Sequence, residues 1–137
     1  MELRVQEVAL EHVNLVWDHI ERYIEEALGY SCGDYCARDA RVLTTNGSWN
    51  IIVASDDTGK IHGAAIVSYF NRPDYRVAFV VAIGGKLISN RTTFKQFEEI
   101  LRARGATYLE GAGRDSIVRL WSRYGLEKKY TIIGKEL

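Results

Sequence analysis

The sequence predicts a single α/β domain with a mixed, mostly antiparallel sheet and a parallel central pair of strands flanked by helices. Three observations support this fold class. Apolar residues recur at helical spacing near both ends of the chain. A group of closely spaced apolar runs between them is typical of strands. A later strand, helix and strand in succession indicate a crossover between parallel strands.

The first part of the chain predicts one strand and two helices. Residues 2–8 alternate apolar and polar side chains, as a strand with one buried face does. In 11–28 the apolar positions recur at steps of three and four, which predicts a helix that Gly29 can end. The stretch 30–43 predicts a shorter second helix. Its expected inner face consists of Tyr35, Ala37, Ala40 and Leu43.

The middle of the chain predicts three strands. Runs 49–55 and 61–70 flank a loop in which Gly59 can take the positive φ of a tight hairpin. A second reversal at 71–74 leads into 76–83, which is almost entirely apolar. Such a run is typical of a strand covered on both faces. We therefore expect 76–83 to be central in the sheet.

The last third of the chain predicts two helices and two strands. Thr93 and Gln96 form the expected capping box of a helix that Gly105 closes, and 106–110 returns as a parallel strand. Residues 128–137 predict a final strand. Between these two strands lies a short helix, which Asp115 caps and Gly125 ends; its expected inner face is Ile117, Leu120, Trp121 and Tyr124.

Composition excludes several classes of protein. The chain has 137 residues, the usual size of one domain, so we expect a single domain over 1–137. Eighteen basic residues balance eighteen acidic ones, so no overall field attracts nucleic acid or a membrane surface. The first residues do not form a signal peptide, which predicts a cytoplasmic protein. Cys32 and Cys36 predict reduced, buried thiols, and the scattered histidines predict no metal site.

The element order resembles that of the GNAT N-acetyltransferase superfamily over almost the whole chain. Segment 114–130 carries the best local match, a helix and turn in which that family has a leucine-tyrosine pair, a basic residue, a glycine and an aromatic residue. Leu120, Trp121, Arg123, Gly125 and Leu126 occupy those places here. Small phage proteins of this fold with eroded cofactor loops are also similar.

The resemblance implies acetyl-CoA as cofactor, bound where the fourth and fifth strands separate. Its pyrophosphate would meet backbone N–H groups at the start of the following helix. The implied cofactor-binding residues are Ile83, Gly84, Gly85, Asn90, Arg91, Thr92 and Thr93. The implied reaction is acyl transfer to a primary amine of a small molecule or a protein. The sequence leaves the oligomeric state open, including a homodimer.

Three departures from the family pattern leave a second interpretation open. The glycines come earlier than the family loop has them, 76–83 contains no carboxylate, and Trp121 replaces the tyrosine that protonates the leaving thiolate. For an enzyme we therefore expect Glu110 or His62 to be the base and Tyr124 to be a displaced substitute for the tyrosine. The alternative is a catalytically inactive protein of this fold that acts in binding or assembly.

Overall fold

The computed structural model describes residues 1–30 and 33–137. Along these residues the elements follow the predicted order as far as the last helix. The strands are β1 (Arg4–Glu7), β2 (Asn50–Ser55), β3 (Ile61–Asn71), β4 (Arg76–Gly85) and β5 (Tyr108–Gly111). The helices are α1 (Val13–Leu28), α2 (Ala37–Thr45), α3 (Arg91–Ala103) and α4 (Asp115–Ser122), and a short 3-10 turn, Leu10–His12, precedes α1.

The strands form one sheet in the order β1-β2-β3-β4-β5. All neighbours are antiparallel except β4 and β5, which are parallel. The predicted hairpin, crossover and fold class are therefore confirmed. Strand β4 is interior, as its apolar run predicted, and β3 is the middle strand of the five.

The predicted final strand at 128–137 does not form. Residues after α4 have no helix or strand, and Tyr130, Ile132 and Ile133 are exposed. The prediction was wrong because β-forming residues make a strand only where a neighbouring strand satisfies their backbone groups. As a consequence, β5 lies at the edge of the described sheet.

The sheet separates two apolar cores, because alternate side chains of each strand point to opposite faces. The first core lies beneath α1 and α2, and the second lies beneath α3 and α4. Their large helical members are Trp17, Ile20 and Ile24 in the first core and Phe94, Phe97, Leu101 and Trp121 in the second. The tryptophans and phenylalanines of these helices are therefore core residues.

Helix α1 buries the apolar face that its spacing predicted. It ends at Leu28, and Gly29 has a φ of −60°, so the helix ends without a left-handed glycine. The predicted second helix begins later than expected, at Ala37, and it buries Ala40. Tyr35 precedes this helix and is exposed, so it was wrongly placed on the inner face.

Cys36 is not the buried thiol that was expected. Cys36 is exposed at the start of α2, where its backbone N–H donates to Asp39 Oδ2 at 3.1 Å. The expectation was wrong for Cys36 because the residue caps a helix at the surface. Cys32 and Ser31 lie outside the described residues.

The caps of α3 and α4 differ from the predicted ones. Asn90 caps α3, with Thr93 as the third helical residue, while Gln96 Oε1 accepts the N–H of Val5 at 2.7 Å. Asn90 precedes Thr93 by the three residues that a capping box requires. For α4 the cap is Arg114, which makes no side-chain cap bond; Asp115 is the first helical residue, and Leu120 is exposed instead of inward.

Two glycines at the end of β4 allow α1 to pack against this strand. A β-carbon at Gly84 would lie 2.5 Å from the carbonyl oxygen of Tyr23, and one at Gly85 would lie 2.7 Å from the Tyr23 ring. Gly85 also has a φ of +66°. The Tyr23 hydroxyl donates to the carbonyl of Ile61 at 3.4 Å, so the same residue connects α1 to β3. Helix packing therefore accounts for Gly84. For Gly85 the positive φ and the carbonyl oxygen of His62, 2.5 Å from such a β-carbon, add to the contact with Tyr23.

Replacing Gly84 with alanine should destabilise the fold. The added carbon overlaps the Tyr23 carbonyl, so α1 must shift, and we expect a loss of about 1–3 kcal/mol in the free energy of unfolding. Gly111→Ala is the matched control, because a β-carbon at that strand position meets only Val80 at 3.7 Å. Urea unfolding measures both variants. Equal losses would show that the contact with α1 does not require the glycine.

Candidate functional site

The sheet opens between β4 and β5. The two strands pair in parallel only over residues 77–80 and 108–111, whereas β4 continues to Gly85. At Val81 the pairing of β4 with β3 skips one residue, a bulge of the kind that bends a strand. No strand of the described residues pairs with the outer edge of β4 at 81–85. We call this opening the β4–β5 fork; on its β4 side, the outer backbone groups of 81–85 have no strand partner among the described residues.

The start of α3 lies just after the end of β4. Thr93 is buried, and its Oγ1 accepts the N–H groups of Ser89 at 3.0 Å and Asn90 at 3.1 Å. Asn90 Oδ1 accepts the N–H of Thr93 at 2.9 Å. The N–H groups of Arg91 and Thr92 have no partner among the described residues. Free N–H groups at a helix start favour an anion.

The residues assigned to the cofactor from the resemblance lie at one end of β4. Of the four backbone N–H groups expected to meet a pyrophosphate, those of Asn90 and Thr93 are used inside the turn. Those of Arg91 and Thr92 remain available. Ile83 is half-buried against the second core, and the glycine pair beyond it contacts α1.

Glu110 lies at the base of the fork, where it is paired with Phe79 of β4. Its carboxylate accepts two hydrogen bonds from the guanidinium of Arg72, at 2.7 and 2.8 Å, and Lys129 Nζ is 3.8 Å away. The bonds from Arg72 lower the pKa of Glu110 below its ordinary value, although burial acts in the opposite direction. A carboxylate held in this way is a weak base.

His62 lies on the other side of β4 from the fork. It is the extra residue of a bulge in β3, between Ile61 and Gly63. Its Nε2 is 2.7 Å from Asp56 Oδ2, and that bond holds the pKa of the Asp56 carboxyl well below its usual range. The structure therefore does not bring the two proposed bases, Glu110 and His62, together.

Tyr124 packs against the start of α3. Its ring stacks on Phe94 with centroids 4.6 Å apart and an interplanar angle of 19°. Trp121, the residue in the place of the family tyrosine, is buried edge-on to Phe94 and Phe97 at 6.3 and 6.4 Å. Tyr124 is therefore a phenol on the α3 side of the site, and Trp121 is part of the core.

A groove of about 370 Å³ runs along α3 beside Tyr124. Its lining includes three basic side chains and one acidic one, so its charge favours an anion. The lining residues are Arg91, Phe94, Lys95, Glu98, Arg102 and Tyr124. Lys95 and Arg102 were not among the predicted site residues, although their spacing from Arg91 places all three on one helix face.

Arg72 is the other residue that the sequence analysis missed. It lies in the turn between β3 and β4, 38 residues before the glutamate it binds. Nothing in the sequence around Arg72, which lies in a turn beside a proline, indicates that its partner is a distant glutamate. Only the parallel pairing of β4 and β5 brings Arg72 and Glu110 together.

Within the part of the chain that the structure describes, no helix is long and apolar enough to cross a membrane. The same residues contain no group of three or more His, Cys, Asp or Glu side chains placed to hold a metal ion.

Solved acetyltransferase structures share this fold, whereas no family model and no curated protein sequence matches the chain. One is a ribosomal-protein-alanine N-acetyltransferase from Brucella melitensis, with a TM-score of 0.70 and 13% identity over 99% of both chains. Another is an aminoglycoside acetyltransferase from an uncultured soil metagenomic sample, with a TM-score of 0.67 and 14% identity, covering 100% of this chain and 99% of that one.

A third similar structure is a predicted acetyltransferase with acetyl-CoA from Clostridium acetobutylicum. Its TM-score is 0.63 at 8% identity, with 98% of this chain and 96% of that chain covered. At such low identities the likeness concerns the arrangement of helices and strands. The chain has the GNAT fold.

Removing the charge of Glu110 should make stability less dependent on pH. Its pKa is lowered in the folded protein, so the carboxylate stabilises the fold above its ordinary pKa of 4.5, and this contribution is lost as the pH falls below that value. We expect Glu110→Gln to be less stable than the native protein at neutral pH. The difference should shrink as the pH falls from about 5 to about 3.

Urea unfolding across this pH range measures the effect. Glu99→Gln is the control, because this α3 residue is exposed and belongs to no ion pair among the described residues. A difference between native protein and Glu110→Gln that stays constant with pH would mean that the bond to Arg72 does not shift the pKa of Glu110.

Proposed function

We propose that the protein transfers an acyl group from acetyl-CoA to a primary amine. One observation carries this proposal: the β4–β5 fork and the free N–H groups at the start of α3 lie at the same end of β4. A strand edge that can bind an extended chain therefore leads to a site that can bind an anion. Acetyltransferase neighbours of the same fold support it at the level of the reaction class.

The residues at this end of β4 fit an acyl-CoA thioester. The open edge at 81–85 can bond the amide groups of an extended arm, and the N–H groups of Arg91 and Thr92 suit a pyrophosphate. The exposed side chain of Arg91 can add a charge-assisted hydrogen bond. Acetyl-CoA would supply an acyl carbon that is activated as a thioester and open to attack by an amine.

The transfer moves one proton from the amine to the leaving thiolate. A C–N bond forms as the C–S bond breaks, the amine loses a proton, and the thiolate takes one up. We assign donation to the thiolate to Tyr124, the phenol beside the start of α3. We assign the amine proton to water, because Arg72 neutralises Glu110 and His62 lies across β4 from the fork.

On this proposal Glu110 is a positioning residue whose ion pair with Arg72 shapes the base of the fork. The acceptor can be a small molecule or a protein side chain. The other candidate function, an inactive binding or assembly protein of this fold, predicts no CoA affinity. The two candidates therefore differ in a binding measurement.

Reversing the charge of Arg91 should weaken CoA binding. A glutamate beside the phosphates replaces an attraction with a repulsion, so we expect the Kd for CoA to rise by about tenfold or more, and less at high salt. Arg38→Glu is the matched control, because it makes the same change in the first turn of α2. Isothermal titration calorimetry compares the three proteins.

Equal Kd values for native protein and Arg91→Glu would place the phosphates elsewhere. Absence of measurable CoA binding by the native protein would refute the proposed transfer and leave the binding or assembly function.

The two candidate bases can be separated by activity measurements. If the ion pair of Glu110 only positions the site, Glu110→Gln and Arg72→Gln should lower kcat/KM to a similar extent, with no change in the pH at which the rate reaches half its maximum. His62→Gln should leave kcat/KM within about threefold of native. A shifted pH profile in Glu110→Gln alone would instead assign the base to Glu110, and one in His62→Gln alone would assign it to His62.

A further inference from the structure

Part of one sheet face remains accessible at the base of the β4–β5 fork. Along β5, Tyr108 and Glu110 alternate with Leu109, which packs against the second core. Tyr108 and Glu110 therefore point to the other face of the sheet, the side of α1 and α2. Phe79, the partner of Glu110 in β4, points the same way. Tyr108, Glu110 and Phe79 are partly exposed, and neither core of the described chain includes them.

Aromatic rings and two cations surround Glu110 on this face. The rings of Tyr75 and Tyr108 are in contact, with centroids 4.9 Å apart, and Tyr75 is exposed. Arg72 donates two hydrogen bonds to Glu110. Lys129 Nζ lies 3.8 Å from the same carboxylate and 4.5 Å from the ring centre of Tyr108. We call Arg72, Tyr75, Tyr108 and Lys129 the basic aromatic surface.

The two cations of this surface share one carboxylate. Among the described residues, Glu110 is the only ion-pair partner of Arg72 and of Lys129. The ammonium of Lys129 is too far from Glu110 for a hydrogen bond, and 44% of its side chain is exposed. A carboxylate of a ligand would balance the second cation and accept charge-assisted hydrogen bonds from it. The charge of the surface therefore favours an acidic group.

The proposed acyl transfer sets the distance between this surface and the reacting group. With the phosphates of CoA at the start of α3 and its extended arm along the open edge of β4, the thioester lies near Val81, where the fork opens. Two strand residues separate Val81 from Phe79, the neighbour of Glu110, a rise of about 7 Å. A carboxylate bound at the basic aromatic surface is therefore about 7–10 Å from the attacking amine.

We propose that the acceptor is a primary amine that carries a carboxylate about 7–10 Å from its nitrogen. The carboxylate binds Arg72 and Lys129, and the apolar chain between the two ends lies on the rings of Tyr75 and Tyr108. An α-amino acid that reacts at its α-amine is too short, because a single carbon separates its nitrogen from its carboxylate. This inference rests on the proposed acyl transfer and narrows it to one class of acceptor.

Two amines that differ only in the carboxylate test the acceptor class. In ε-aminocaproate an extended apolar chain separates the amine from a carboxylate, and ε-aminocaproamide has a neutral amide in its place. With acetyl-CoA as donor, the native protein should have a kcat/KM about tenfold or more higher for the acid, mainly through a lower KM, because only the carboxylate gains charge-assisted hydrogen bonds. Free glycine, which lacks the spacing, should react no faster than the amide.

Removing one cation should remove the preference for the acid. In Lys129→Gln we expect the ratio of the two kcat/KM values to fall to within about threefold of one. Lys129 is exposed, so the fold should persist, as circular dichroism can verify. Lys128→Gln is the matched control, because Lys128 is an exposed neighbour that belongs to no ion pair among the described residues. This variant should keep the native preference.

Equal kcat/KM values for the acid and the amide in the native protein would overturn the proposal. So would a preference that persists in Lys129→Gln, one that Lys128→Gln also removes, or glycine reacting as well as ε-aminocaproate. A native protein that binds CoA in calorimetry but acetylates neither amine would refute this acceptor class and leave the cofactor assignment standing. A protein that binds no CoA would fail at the proposed function itself, and the acceptor class would fall with it.

Discussion

The short parallel pairing of β4 with β5 is the constraint on which the candidate site depends. Four residue pairs hold the strands together, and β4 then continues without a partner on that side. The crossover between them contains α3, and the five residues 86–90 separate the end of β4 from the start of this helix. A strand edge and a helix start therefore lie close together. The same pairing brings Glu110 to Arg72.

Helix α3 is fixed at three points along its length. Thr93 closes its first turn, Gln96 accepts the N–H of Val5 in β1, and Arg104 donates two hydrogen bonds to Glu7 at the end of β1. Two of these contacts join α3 to β1, whose residues are 91 and 97 positions away in the sequence. A ligand at the start of α3 therefore meets N–H groups on a helix that the contacts with β1 hold in place. Such preorganisation lowers the cost of binding.

Local patterns were sufficient for most of the fold. Alternation and helical spacing located the hairpin, the crossover and the inner face of α1, because burial on one side imposes these periods on the sequence. Contacts between residues far apart in the sequence could not be predicted from these local patterns. The partner of Glu110 is 38 residues away, and Gly84 of β4 is explained by its contact with Tyr23 of α1. The strand predicted at 128–137 does not form for a related reason. A high strand propensity does not provide a neighbouring strand to pair with.

The position of Trp121 couples the candidate site to an optical signal. Its indole ring lies edge-on to Phe94 and Phe97 of α3, and Phe94 lies in the same part of the helix as Arg91 and Thr92. A shift of α3 when an anion binds at its start would change the surroundings of the indole. The emission spectrum of Trp121 would then report occupancy directly, once the contributions of Trp17 and Trp49 are removed by substitution.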